Sequence, residues 1–441
     1  MSEICSCKLS WYWYLVINIY SNLKSKELLI ALYFLLFILG FTTGFSYSFY
    51  NEFRFLQIIV LLFLGTYGLK YKQFIITKLE LLFLLFIIVG SFFLQQPEFV
   101  ITELLLVYLL YKTFQTINYN NLVTKIIVLA TFLLFFLFSL SLIDYLQTGS
   151  YRALWYPLPW NIRVYNSCLL IISIFTVWFY LAETKYKFVY LLYLFLAFFA
   201  VLLDGGRSVT LAYSAFMAII ALYYARERLT LIGVYLASWV AYLVVTYLAT
   251  AGQDSSLRIA RESSSGRLDL WQNAMSCWAE HPIIGCGFYQ LNKYPHLSAH
   301  PHNLFIQVLS ETGLIGFGFL LVIIYSIAKR ISWDMKRNAF VIAALLAVTI
   351  DMSLSGIHIY PVTQMALLWL FVFLLKNPAF AHAKYFNQPF IQASRIQQVL
   401  SLALYTVIGA WFLYLSIQAF NFSDEMPMTP PRFWVYGYYL F

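Results

Sequence analysis

Thirteen apolar runs, most of about 17 to 22 residues, constrain this chain more than anything else in it. That is the length at which an α-helix crosses a hydrocarbon core of ~30 Å, whereas a transmembrane barrel would show strict two-residue alternation. The runs lie near 27–46, 53–69, 79–95, 98–112, 123–143, 163–181, 187–203, 208–224, 230–250, 303–328, 339–356, 361–376 and 397–417. Only 11% of the residues are charged, against about 25% in soluble domains, so the polar residues between runs carry disproportionate meaning. The expected fold is all-α: a polytopic membrane helical bundle of 12–14 spans with one long extracytoplasmic cap loop, periplasmic in a Gram-negative cell. Its expected parts are an N-terminal bundle (1–250), the loop (251–302), and a C-terminal bundle with a tail (303–441). Trp11 to Tyr20 is short and aromatic, which suits an interfacial segment. The N-terminus shows no short apolar region with a small-residue cleavage site, so the first spanning helix is expected to act as its own signal.

A formal net charge of +9 does not imply nucleic-acid binding, because the basic residues are scattered between apolar runs instead of lining one domain. Topology explains them. With the N-terminus in the cytoplasm, inner loops collect 19 of the 28 basic residues, as the positive-inside rule requires. Of these 19, 14 are lysine; of the nine left outside, eight are arginine. Lysine supplies charge alone, whereas arginine offers a planar fork that matches phosphate oxygens. Arg54 and Arg432 are read as snorkelling to headgroups; the other outer arginines are candidates for chemistry.

The interval from Ser263 to Gly318 gathers arginine, histidine, acids, glycine and proline in one stretch. Leu268 to Glu280 has the spacing of an amphipathic helix, and Arg267 opens it, where the helix N-terminus adds its own affinity for anions. Arg258 and Arg261 are supporting candidates in the same loop. Arg207 follows Asp204-Gly205-Gly206 at the outer end of one run and the start of the next. A charge at that depth marks function or a tight Asp204–Arg207 turn, and the glycines let the backbone approach a ligand closely. His302-Asn303 stands where the loop enters a span. Asn303 can cap that helix, and Gln307 and Glu311 continue a polar stripe at i+4 and i+8 that should face a bundle interior or a wet cavity. His302, at the cavity mouth, can act as a general base toward a hydroxyl.

Other chemistries are less well supported. His296, His300 and His302 lack the spacing of a zinc signature, there is no DxD pair, and no GxSxG marks a nucleophile elbow; no metal site is expected. Cys277 and Cys286 could pair if their loop is extracytoplasmic, but connectivity is not readable from sequence, and they are expected to be unpaired buried thiols.

The block SGRLDLW…HPIIGCG…AHPHNLFIQVLSETGLIG resembles the signature region of the O-antigen ligase superfamily, which includes lipopolysaccharide O-antigen ligases, O-antigen polymerases and pilin O-oligosaccharyltransferases. The Gly-Gly-Arg turn at 205–207 and the segment Asn161 to Asn166, which contains Arg163, extend that resemblance. It implies an inverting, metal-independent and cofactor-free transfer of a glycan from undecaprenyl diphosphate to a hydroxyl acceptor at the periplasmic face of a bacterial inner membrane. It assigns Arg207 and Arg267 to the donor diphosphate and His302 to catalysis, with Arg163 in support. Partners would be the undecaprenyl-diphosphate-linked glycan, membrane lipids, and either lipid A–core or a pilin-like protein as acceptor, with no nucleic acid. The compact length leans toward the ligase; a pilin transferase, then a polymerase, are the alternatives, and a lipid-linked glycan transporter is the rival from another class.

Overall fold

A computed structural model describes residues 25–40, 50–70, 75–94, 96–154, 162–250, 266–293, 298–380, 394–419 and 431–435. Arg258, Arg261 and His296 lie outside these residues, as do Trp11 to Tyr20 and most of the aromatic stretch before Trp160. Each expected apolar run contains helix among its described residues: α1 Ser25–Ile38, α2 Tyr50–Lys70, α3 Lys78–Phe93, α4 Pro97–Thr116, α5 Asn121–Thr131 continued by α6 Leu134–Thr148, α7 Ile162–Ala182, α8 Lys187–Asp204, α9 Arg207–Tyr223 and α10 Arg228–Ala249. After the cap helix α11 Arg267–Glu280 come α12 Leu304–Ala328, α13 Met335–Leu354, α14 Pro361–Lys376 and α15 Arg395–Ala419. No strand occurs among the described residues. Nine helices among them, with α5 and α6 counted as one, are long and apolar enough to cross a membrane. The chain is thus an all-α, multi-pass membrane protein.

Helices α7 and α14 form the centre. They are apolar all round, and of the span Arg163–Ala182 89% lies inside the protein, as expected of a helix surrounded by others and not by lipid. Burial against lipid-like neighbours gives little hydrophobic gain, so close packing has to supply the attraction. The broadest interface, between α9 and α13, shows how: α13 presents Ala339, Ala343, Ala344 and Ala347, all buried, and Phe216 of α9 meets Phe340 of α13 edge to face at 5.8 Å.

The alternating direction of the helices sorts the loops onto two ends. One end carries lysine–carboxylate pairs, Lys125–Glu183 at 2.5 Å, Lys187–Glu227 at 2.7 Å and the buried Lys112–Glu80 at 2.5 Å. Lys376 there caps the last carbonyls of α4, donating to Gln115 O and Ile117 O. The other end holds Arg54, Arg163, Arg207, Arg267 and Arg432. The contrast between lysine and arginine seen along the sequence is therefore a contrast between two ends of one bundle.

Part of the cap is tied to the bundle backbone to backbone. Helix α12 breaks at Gly313 (φ 62°, ψ −162°), a region essentially restricted to glycine. A break inside a span frees carbonyls and N–H groups that hydrocarbon cannot satisfy. The segment 282–287 satisfies them: Cys286 N–H donates to Ser310 O (2.9 Å) and Gly287 N–H to Glu311 O (3.2 Å), while Leu314 and Ile315 donate to Pro282 O (2.9 Å) and Ile283 O (3.2 Å). Such contact requires two bare backbones. A Cβ on Gly313 would lie 2.3 Å from Ile283 O, and one on Gly285 would lie 2.4 Å from the Glu311 carbonyl carbon. Gly313→Ala is accordingly expected to cost more than the ~1–3 kcal/mol of backbone strain alone, seen as a lowered detergent melting temperature and loss of monodisperse protein. Gly318→Ala, with nothing within 4 Å of its Cβ, is the control that should melt like the parent.

The structure corrects two expectations in this region. Cys277 and Cys286 form a disulfide, with Cα atoms 6.0 Å apart; α11 and the docked 282–287 segment bring them together, which spacing alone does not reveal. Arg54 and Arg432 do not snorkel. Each is 1% exposed, because the segment 431–435 folds back into the bundle and carries Arg432 inward against Arg54. Arg54 donates to Phe433 O (2.8 Å), Ile359 O (2.7 Å), Gln57 Oε1 (2.6 Å) and Gln364 Oε1 (2.6 Å).

Candidate active site

Four helices begin around one point at the arginine-rich end, and each begins with a polar side chain of interest. Helix α8 ends in a Schellman turn: Gly205 (φ 72°) donates to Leu202 O and Gly206 to Val201 O, both at 3.1 Å, and α9 starts at once with Arg207. Gly206 lies close to α7: a Cβ there would lie 2.6 Å from Asn166 Nδ2, so that side chain would have to shift. Asp204 accepts from Tyr151 Oη at 2.9 Å, so the turn is pinned to the 151–154 segment as well. Gly266 (φ 71°) likewise releases the chain into α11 at Arg267. Arg163 stands in the first turn of α7, and Asn303 caps α12, its Oδ1 accepting from Phe305 N–H (3.0 Å) and Ile306 N–H (3.1 Å).

His302, one residue before that cap, has φ 55°, an uncommon conformation for a residue with a side chain. Its backbone N–H donates to His300 Nδ1 at 3.2 Å. Arg163 Nη1 lies 2.9 Å from His302 Nε2. Arginine can only donate, so the ring nitrogen facing it must accept, and the imidazole is neutral. Electrostatics agree: burial, then Arg163, Arg267 and His358, hold the His302 imidazole well below the ordinary histidine range. Arg267 in turn has its pKa lowered by burial and by the proximity of Arg163 and Arg207, partly offset by Asp351. The sequence candidates Arg163, Arg207, Arg267 and His302 thus share one site, while Arg258 and Arg261 lie outside the described residues. Arg267 Nε is buried with no hydrogen-bond partner among the described residues.

The polar stripe below His302 is consumed by structure and does not line an open mouth. Gln307 donates to Glu311 Oε2 (3.2 Å) and accepts from His358 Nε2 (2.8 Å). Glu311 is paired bidentately with Arg432.

Sequence reasoning missed Asp351 and His358 as neighbours, and weighed His300 only as a member of a metal cluster. Asp351, buried on α13, accepts from Ser167 Oγ of α7 at 2.7 Å beneath the arginines. His358, just before α14, is held by burial and then Arg432 at about 3. His300 packs its ring 4.2 Å from that of His302, and its pKa is pushed well down by burial and the facing histidines. For Asp351 a signal existed: an acid inside an apolar run marks a functional site by default.

Comparison with known proteins bears on this cluster. Residues 192–321 match the family model described as O-antigen ligase, a segment running from α8 to the middle of α12. An O-antigen ligase of Pseudomonas aeruginosa is 32% identical over 90 residues, 20% of this chain and 22% of that protein. A provisionally named polysaccharide ligase of Rickettsia bellii is 25% identical over 120 residues, 24% of this chain and 29% of that protein. The chain therefore aligns with less than a third of either relative's length. Arg163, His358 and Arg432 fall outside the family-matched segment, which ends at residue 321. Arg207, Arg267 and His302 all lie within the segment 192–321 that matches the O-antigen ligase family model.

Proposed function

We propose that this chain is an inverting glycosyltransferase that moves a glycan from undecaprenyl diphosphate to a hydroxyl acceptor, with lipid A–core as the acceptor. The observation that carries it is the convergence of Arg163, Arg207 and Arg267 on a neutral His302 at one end of a membrane bundle. Three guanidiniums close enough for their charges to oppose one another suit a ligand that brings negative charge. A lipid diphosphate does so, with its polyprenyl tail between helices and its phosphates at the interface. The N-termini of α7, α9 and α11 begin at the cluster and add partial positive charge.

In the reaction, the acceptor oxygen attacks the anomeric carbon from the face opposite the diphosphate. The sugar–phosphate C–O bond breaks as the new C–O bond forms, and the electron pair leaves on the diphosphate. Arg207 and Arg267 stabilise that developing charge, the larger share of catalysis in a water-poor site. His302 Nε2 takes the acceptor proton. In the unliganded arrangement Arg163 occupies that nitrogen's lone pair; donor phosphates attract the guanidinium and so release the base. The diphosphate is already a good leaving group, so the transfer needs no metal and should survive chelation.

The disulfide between Cys277 and Cys286 supports an extracytoplasmic, oxidising location for the cap, and the lysine-rich opposite end fits the cytoplasmic face. Concentration of polar groups at one end disfavours a transporter, whose site would lie near the midplane on broken helices. The break in α12 is filled by cap backbone.

Because burial and two arginines oppose the imidazolium, the catalytically competent neutral form persists to lower pH than for an ordinary histidine. The acid limb of the transfer rate should therefore fall below ~6.5, which a pH–rate profile on saturating donor measures; half-maximal rate at or above 6.5 would contradict it. Deleting the gene and examining both lipopolysaccharide and pilin tests the acceptor. Loss of O-antigen from lipid A–core is expected. Intact O-antigen with an unglycosylated pilin would make it a protein transferase, and O-antigen shortened to one repeat a polymerase.

A further inference from the structure

The segment 431–435 follows the last spanning helix and returns to the site end as a clasp. Val435 N–H donates to Asn51 Oδ1 (2.8 Å) and Phe433 N–H to Tyr289 Oη (3.2 Å), while the Arg432 carbonyl accepts from Tyr50 Oη (2.5 Å) and Arg54 Nη2 (3.0 Å). These four contacts, all in the buried interior, fix this short piece of chain. Its Arg432 side chain then reaches three separate elements. Nε donates to Glu103 Oε1 of α4 (3.0 Å), Nη2 to Glu311 Oε2 of α12 (2.7 Å), and Nη1 to Glu311 Oε1 and to the Ala299 carbonyl of the cap (3.0 Å).

Ala299 belongs to the strap 298–302 that ends in His302. Ser298 Oγ donates to His300 O (2.6 Å), the His302 amide donates to His300 Nδ1, and Trp271 Nε1 of α11 holds Pro301 O at 2.9 Å. A histidine at φ 55° does not stay there by itself. Trp271 holds the strap from the cap side, and Arg432 holds it from the bundle side. We propose that Arg432 is a positioning residue, clamping the 298–302 strap against α4 and α12 so that His302 meets the reacting hydroxyl. Arg432 does not touch the His302 ring, so its influence passes through the Ala299 carbonyl. Lysine could not replace it, because an ammonium is a point charge that cannot span two carboxylates and a carbonyl in one plane. Only the kinetic part of this inference rests on His302 being the base; the clamping itself does not.

Hydrogen exchange by mass spectrometry on the full-length protein in nanodiscs, together with transfer kinetics, tests the clamp in Arg432→Lys and Glu103→Gln. Groups facing His302 are Arg163 from α7, Arg267 from α11, His300 from its own strap and His358 from the segment before α14. None is altered by these variants. Exchange over 298–302 should quicken about tenfold or more while α10 exchanges as in the parent. A loosened His302 admits water, so the acid limb should move up toward ~6.5, with kcat down about 10- to 100-fold and the donor KM nearly unchanged. A merely structural role would lower the yield of folded protein without moving that limb. Unchanged exchange over 298–302 in both variants, or faster exchange with a parental acid limb and kcat, would overturn the proposal. Should His302→Ala retain full transfer, the base reading fails, and exchange over the strap alone decides whether Arg432 clamps it. Arg432→Ala leaves Glu103 and Glu311 facing each other buried and can fail to fold, which is why the two milder variants carry the test.

Discussion

His302→Ala should slow transfer by about 10²- to 10⁴-fold, the ordinary contribution of a general base, with the lipid-linked donor still bound. Binding survives because the imidazole carries no charge to offer a diphosphate, whereas removing it frees the Arg163 guanidinium now 2.9 Å from Nε2. Donor affinity should hold or rise slightly. Single-turnover rates beside equilibrium binding of the lipid-linked glycan separate the two quantities. Parental turnover in His302→Ala would remove the imidazole from the mechanism, and a parallel collapse of donor binding would reassign it to the ligand cradle.

The second large effect belongs to Arg267. Its guanidinium is partly buried, its Nε lacks a hydrogen-bond partner among the described residues, and two further arginines push against its charge. A bound diphosphate would offset the mutual repulsion of these guanidiniums. Arg267→Ala should lower kcat/KM by about 10²- to 10³-fold, the typical loss when one charge-stabilising donor is removed. Arg267→Lys should recover only part of it, having charge but no fork. Arg207→Ala should behave similarly, and the double variant should fall short of the product of the two losses, because both residues serve one ligand. A linked effect discriminates this account from simple misfolding. Arg267 is one of the charges that oppose His302 protonation, so its removal should raise the acid limb of whatever activity remains. Unchanged kcat/KM in Arg267→Ala would separate the arginine cluster from donor binding.

Run length sufficed to locate the apolar helices of the described residues, since the bilayer imposes one length on each span and backbone satisfaction favours the helix. The arginine–lysine contrast was equally legible, because side-chain chemistry follows the face it serves. What stayed hidden depends on tertiary return. Arg432 sits after the last apolar run, where an arginine near headgroups is the ordinary expectation; nothing local says that 431–435 folds inward to meet Glu311, more than a hundred residues earlier. Arg54 was misread for the same reason, since its partners are carbonyls at 359, 432 and 433. The Cys277–Cys286 pairing depends on how 282–287 docks across the break at Gly313. Asn303, Gln307 and Glu311 were correctly placed on one face from their spacing, yet their partners His358 and Arg432 come from elsewhere in the chain. Periodicity identifies a face but not its occupant.

The central claim, that one cluster of arginines and a neutral histidine carries out glycan transfer from a lipid diphosphate, is tested most directly by reconstitution. Purified protein in liposomes, supplied with undecaprenyl-diphosphate-linked glycan and lipid A–core, should release undecaprenyl diphosphate in step with glycosylated acceptor, in the presence of chelator, with the new linkage inverted at the anomeric carbon. Donor that crosses the bilayer intact, or an acceptor that gains its glycan with the anomeric configuration retained, would contradict the account.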